Sequence, residues 1–148
     1  MLSGSVSIGP GWLALRDKQG RDGQGATSLS ARLGAVVAPE WCVFLGVDRS
    51  STERGAATFA QTAGLFGAQR YLFGRLYLGG ALAVAMVRES GVPDGLTDGP
   101  GWGFSALAGV EAVRTRHLAL TAELSTTMAF YGEEAWEMGG LRVGLTLF

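Results

Sequence analysis

From Leu118 to Tyr131 the side chains alternate almost without error. The even positions are Leu118, Leu120, Ala122, Leu124, Thr126, Met128 and Phe130, and between them stand Ala119, Thr121, Glu123, Ser125, Thr127, Ala129 and Tyr131. One face is oily and the other small or polar, at a period of two, which predicts a β-strand with an apolar and a polar side. At about 3.3 Å per residue such a strand is long enough to cross a bilayer core at a tilt.

Several segments of the same kind follow one another, and the composition narrows what they can build. The chain has 148 residues, which suits one domain; 47% are hydrophobic and 17% charged. Mean hydropathy is +0.23. No apolar run reaches the roughly 18 residues of a membrane helix, and the best uncharged stretches, Gly55 to Gln69 and Leu76 to Val87, are short and rich in Gly and Ala. Either the chain has an unusually apolar soluble core, or it spreads a lipid face over many strands. The 24 glycines argue against helices and suit a crowded small barrel. A net charge of −1 offers no basic surface for nucleic acid. Cys42 has no second cysteine to pair with. No basic and apolar leader opens the sequence at Met1, so an exported protein would be read here in mature or trimmed form.

Eight strands are predicted, over about 2–15, 27–38, 41–48, 56–68, 74–87, 101–113, 118–131 and 136–148. Leu2, Val6, Ile8 and Trp12 oppose Ser3, Ser5, Ser7, Gly9 and Gly11; Leu29, Ala31, Leu33, Ala35 and Val37 oppose Ser28, Ser30, Arg32 and Gly34. Trp41, Val43, Leu45 and Val47 form the oily side of the third strand. The fourth strand alternates poorly and its faces stay unassigned. In the fifth, Leu76, Leu78, Leu82, Val84 and Met86 face out, and Arg75, Tyr77, Gly79, Ala81 and Ala83 face in. The sixth turns Trp102, Phe104, Ala106, Ala108 and Val110 outward; the last turns Leu141, Val143, Leu145 and Leu147 against Arg142, Gly144 and Thr146. Polar loops are expected at 16–25, 49–55, 88–100 and 132–135, and short turns at Pro39-Glu40, 69–73 and 114–117. Gly99-Pro-Gly-Trp-Gly103 precedes a strand, so its glycines mark a turn rather than a phosphate loop. Long and short connections alternate, as in bacterial outer-membrane barrels.

Aromatic residues fall at the expected strand ends. Trp12, Trp102, Trp136, Phe130 and Tyr131 would form one belt, at the long-loop rim, and Trp41, Tyr71, Phe73 and Phe148 another at the short-turn rim. A soluble sandwich would bury its Trp residues mid-strand instead.

With strands, loops and belts placed, the chain resembles the small eight-stranded outer-membrane barrels of the OmpA/OmpX type. The matching features are the Gly-rich first strand (Gly4 to Gly11), Arg75-Leu-Tyr-Leu-Gly-Gly80, Ala108-Gly-Val-Glu-Ala112, His117-Leu-Ala-Leu-Thr-Ala-Glu123 and Gly140-Leu-Arg-Val-Gly-Leu-Thr-Leu-Phe148. The resemblance implies an all-β, closed, antiparallel, eight-stranded up-and-down transmembrane barrel over residues 1–148, in the outer membrane of a Gram-negative bacterium. It implies the lipid bilayer as partner, and the barrel-assembly machinery during insertion, for which Phe148 resembles the terminal signal. In that signal the apolar residues share the phase of the final aromatic. Here Leu141, Val143, Leu145 and Leu147 are out of phase with Phe148, which a bulge or terminal twist would reconcile.

The charges expected inside are Arg32, Arg75 and Arg142 with Glu111, Glu123 and Glu137. A barrel of this size is filled by its own side chains, and enclosed charges must be paired. A structural plug is therefore expected, with a narrow gated pore as the alternative. His117 has no second His or Cys to help hold a metal, and its place at the inner rim, before Leu118 and Ala119, does not fit the lipid A-modifying enzymes among such barrels. No enzyme activity and no cofactor are expected. Cys42 reads as a small apolar residue. Any binding should reside in the charged loops, which carry Asp17, Lys18, Arg21, Asp22, Arg49, Glu53, Arg54, Arg88, Glu89, Asp94 and Asp98, and whose partner would be another envelope or surface protein. A soluble lipocalin-like carrier is the remaining alternative; it needs the Leu/Val face inside and the Ser/Arg/Glu face outside.

Overall fold

The computed structural model of the chain describes residues 2–17, 20–91 and 97–148. Its elements are β1 (Leu2–Asp17), β2 (Gly20–Ala38), β3 (Trp41–Arg54), β4 (Ala57–Leu72), β5 (Leu76–Ser90), β6 (Thr97–Arg114), β7 (Leu118–Tyr131) and β8 (Glu134–Leu147). Each strand pairs antiparallel with its sequence neighbours, and β1 pairs with β8, closing the barrel. Closure leaves no free sheet edge, so nearly every backbone group is paired within the wall, as a strand protein in lipid requires.

The period-two patterns decide which way each side chain points. On β7, Ala119, Thr121, Glu123, Ser125, Thr127 and Ala129 are buried, while Leu118, Leu120 and Leu124 are exposed. On β5, Leu82 is 70% exposed and its neighbours Ala81 and Ala83 are buried. β8 repeats this, with Arg142 enclosed and Leu141, Val143, Leu145 and Leu147 outside. The greasy row therefore faces outward around the ring, the reverse of what a lipocalin-like carrier needs. An exposed apolar band of this extent is a lipid-facing surface.

β4 shows why its faces could not be read. Its inward positions include Phe59 and Leu65, and its outward ones include Thr58, Thr62 and Gly64, so the usual chemistry of the two sides is partly exchanged. Phe66, 59% exposed, keeps an apolar group on the lipid side.

The strands run further than the hydropathy suggests. The ladder of β1 with β2 continues to Asp17 opposite Gly20, that of β3 with β4 to Arg54 opposite Ala57, and that of β4 with β5 to Thr58 opposite Ser90. Most of the residues expected in loops at 16–25, 49–55 and 88–100 are thus ladder residues. Lys18, Pro93, Asp94 and Gly95, also expected there, lie outside the described residues. Gly99 to Gly103 do not form a turn: they lie within β6, where the register with β5 shifts between Ala85 and Val87. At the other end, residues 69–72 belong to β4, and the turn to β5 is made by Phe73, Gly74 and Arg75, with φ of 53° at Phe73 and 76° at Gly74. Pro10 accompanies the one lapse between β1 and β8: their register runs from Gly4 to Ile8 and resumes at Gly11. Proline has no N–H to give to a ladder.

Candidate functional site

Halfway along the lumen four charged side chains meet, one from each of β2, β3, β7 and β8. Arg32 Nη1 donates to Glu123 Oε2 at 2.5 Å, and Nη2 to Glu123 Oε1 at 2.9 Å, a two-pronged pair. Arg142 Nη2 donates to Glu123 Oε1 at 2.8 Å and to Asp48 Oδ2 at 3.1 Å, and it also meets the Ser125 hydroxyl. Ser30 Oγ donates to Asp48 Oδ1 at 2.5 Å, and Tyr77 OH to Glu123 Oε2 at 3.1 Å. The Arg32 guanidinium also lies 5.3 Å from the centre of the Phe44 ring. All four charged groups are buried. Two cations and two anions cancel, which is the condition for holding such groups out of water.

Of the six charges expected inside, the structure brings together Arg32, Glu123 and Arg142. Asp48 completes the cluster and was missed, although its spacing from Cys42, Phe44 and Gly46 placed it on the inner face; the predicted strand stopped at that residue. Glu111 is also enclosed, but nearer the short turns, where it accepts from Arg114 Nη1 at 3.2 Å. Two expectations are corrected. Arg75 lies outside the lumen: it is an exposed residue of the β4–β5 turn, because β5 begins one residue later. Glu137 stands on the outer wall, since it shares the phase of Leu141 and Val143. There it accepts from Trp12 Nε1 at 3.1 Å and is flanked by Arg16 at 3.1 Å and Arg21 at 3.2 Å.

The aromatic belts are likewise divided. Trp102, 70% exposed, joins Phe130 and Phe104 on the outer wall, with ring centres 5.8 Å and 6.2 Å from Phe130. Trp12 faces outward over Gly139, where an added Cβ would come within 2.3 Å of the indole. Trp41 is exposed beside Arg70, and Phe73 is exposed in its turn. Phe148 lies just past β8, under the Arg114 guanidinium at 4.6 Å, its N–H bonded to His117 O. Being beyond the last ladder residue, it is not bound to the β8 alternation. Tyr71, Tyr131 and Trp136 do not join the belts. They take the inward phase: Tyr71 packs on Tyr77 with ring centres 5.6 Å apart, Tyr131 OH accepts from Gln61, and Trp136 packs on the buried core.

Toward the long-loop end of the cluster, Leu13, Ala129 and Met138 are buried in an apolar layer. Above that, at the long-loop mouth, a cavity of about 290 Å³ is walled by Leu13, Leu15, Phe59, Val87 and Trp136. Asp22, Glu89 and Glu134 edge it. On the short-turn side of the cluster a cavity of about 30 Å³ is edged by Gln69, Tyr71 and Thr121, roughly the space of a water molecule or two. Cys42 is buried at that end.

No protein-family model and no curated protein sequence matches the chain. Solved structures do. Neisserial surface protein A superposes with a TM-score of 0.73 at 13% identity, covering 99% of this chain and 96% of its own. Ail, the attachment invasion locus protein of Yersinia pestis, gives 0.64 at 12% identity and 97% coverage of both chains. The N-terminal β-barrel domain of Pseudomonas aeruginosa OprF gives 0.51 at 13% identity, over 97% of this chain and 96% of that one. At such identities the likeness establishes the fold, that of the small eight-stranded barrels of Gram-negative outer membranes.

Proposed function

We propose, for a chain with the fold of the small OmpA/OmpX-type outer-membrane barrels and a girdle of exposed Leu and Val, that it serves as a closed scaffold in the outer membrane of a Gram-negative bacterium. Its role is structural or surface-interacting: membrane integrity, adhesion, or docking of an envelope or surface protein at the long-loop end. The bilayer is its first partner and the barrel-assembly machinery its route there. Catalysis forms no part of this reading.

One observation carries it: the Arg32–Asp48–Glu123–Arg142 cluster occupies the middle of the lumen, with Phe44 and Tyr77 beside it and an apolar layer above. Ions crossing there would have to part buried pairs that hold one another in place. In planar bilayers the folded protein is expected to show no steady conductance steps. The double variant Arg32→Ser, Glu123→Ser removes one charge of each sign and is expected to admit ions, provided it still shows the gel shift of a folded barrel. Steady conductance by the unaltered protein would establish the pore alternative instead.

A further inference from the structure

The short-turn rim carries more positive charge than a closed scaffold requires. Arg70 is bonded to Glu40, and Arg114 to the enclosed Glu111. Arg75 and Arg116 are exposed and meet no acidic side chain among the described residues. The β4–β5 turn is tied to β6, where Glu111 N–H donates to Arg75 O at 2.9 Å. Across this turn, the end of β6 and the β6–β7 turn, Arg75, Arg114 and Arg116 stand against Glu111 alone, a surplus of two positive charges. Beside Arg75 stands Phe73, 99% exposed with φ of 53°, a left-handed conformation that is costly for a residue with a side chain. At that exposure the ring packs on nothing in the barrel. The surplus lies at the edge of the lipid band: Leu76, Val113 and Leu118, each within two residues of one of these arginines, are exposed on the outer wall.

We propose that the β4–β5 and β6–β7 turns seat an anionic phospholipid of the inner leaflet, with its phosphate on Arg75 and Arg116 and the Phe73 ring at its glycerol level. This rests on the reading of the chain as an outer-membrane barrel with its short turns toward the periplasm. Charge and depth both select the occupant. A net-anionic headgroup answers the surplus, whereas the ammonium of a zwitterionic lipid would meet like charge. Guanidinium groups bind phosphate oxygens two at a time. Arginines one or two residues past the last lipid-facing side chain reach the headgroup layer, where aromatic rings also settle.

The test uses the whole folded chain in nanodiscs of phosphatidylcholine with rising fractions of phosphatidylglycerol. Backbone amide resonances of Gly74 and His117 report the two turns, and those of Gly20, Arg21 and Asp22 the opposite rim. The turn signals are expected to shift saturably while those of the opposite rim move little. The double variant Arg75→Gln, Arg116→Gln removes both unpaired cations and leaves the Arg70–Glu40 and Arg114–Glu111 pairs in place. It should weaken phosphatidylglycerol about ten- to thirtyfold relative to phosphatidylcholine. Arg116→Gln alone should weaken it about three- to sixfold and serves if the double variant does not fold. Glycerol 1-phosphate, which has the phosphate without acyl chains, is expected to leave the turn signals of the protein in phosphatidylcholine unmoved. An equal response to it would assign the turns to a soluble anion and overturn the proposal. Equal shifts at both rims, a non-saturable response or undiminished binding to the variants would do the same. All are read on protein with the gel mobility of a folded barrel; absence of that mobility would sink the scaffold reading itself, which these shifts leave untouched.

Discussion

Glu123 accepts hydrogen bonds from Arg32, Arg142 and Tyr77 while almost wholly enclosed. Glu123→Ala would leave two buried guanidinium groups facing one remaining carboxylate, Asp48. Removing one partner of a buried ion pair costs about 3–5 kcal/mol, so the variant is expected to unfold at clearly lower urea concentration in detergent. Gly109 gives a steric counterpart. It stands across the ladder from Tyr77, and an added Cβ would come within 2.3 Å of that ring. Gly109→Ala is therefore expected to cost about 1–3 kcal/mol by overpacking, read from the same unfolding curves, with Tyr77→Ala relieving most of it. Cys42 offers a probe without mutation: being buried inside the wall, it should resist a charged maleimide in the folded barrel and react once the protein is unfolded.

At the scale of the strand, the alternating pattern is the legible quantity wherever lipid lies on one side and packed polar groups on the other. Residues 28–35 of β2, 76–86 of β5, 118–130 of β7 and 141–147 of β8 could be read one by one for this reason. The signal fades where that contrast fades. Beyond the bilayer both faces meet water or a wide mouth, so the ladder residues from Gly20 to Gly25 and from Arg49 to Arg54 carry no hydropathy rhythm and look like loops, although their backbones pair. In β4 the contrast is locally exchanged, with Phe59 inside and Thr62 outside. The depth of the lipid contact is testable on β5. Leu82 is near the middle of its strand and widely exposed, and Leu82→Arg should destabilise the folded barrel by about 2–4 kcal/mol. Leu2, at the very start of β1, should tolerate Arg at about 0–1 kcal/mol, because the side chain can reach water there. Equal costs at the two positions would contradict the placement of the lipid band.

For the whole molecule, closure of β1 onto β8 makes the barrel an all-or-none object. The folded protein in detergent is expected to run faster on a gel unboiled than boiled and to show a β-rich circular dichroism spectrum. A helical, detergent-independent species would refute the architecture. The periodicity of Leu, Val, Ser and Thr determined the strand number and the division of each strand into an oily and a polar row, because both depend only on which neighbours along the chain share a face; the outward direction of the oily row and the shortness of the connections at 18–19 and 55–56 came with the closed ring. Partnership across the lumen was decided by the tertiary structure alone. Asp48 and Arg142 lie 94 positions apart, yet the register brings them within 3.1 Å. Within β8 the unbroken register put Glu137 in phase with Leu141 on the outer wall and Trp136 in the opposite phase. A period of two tells that neighbouring residues face apart; only the closed ring says which facing groups meet.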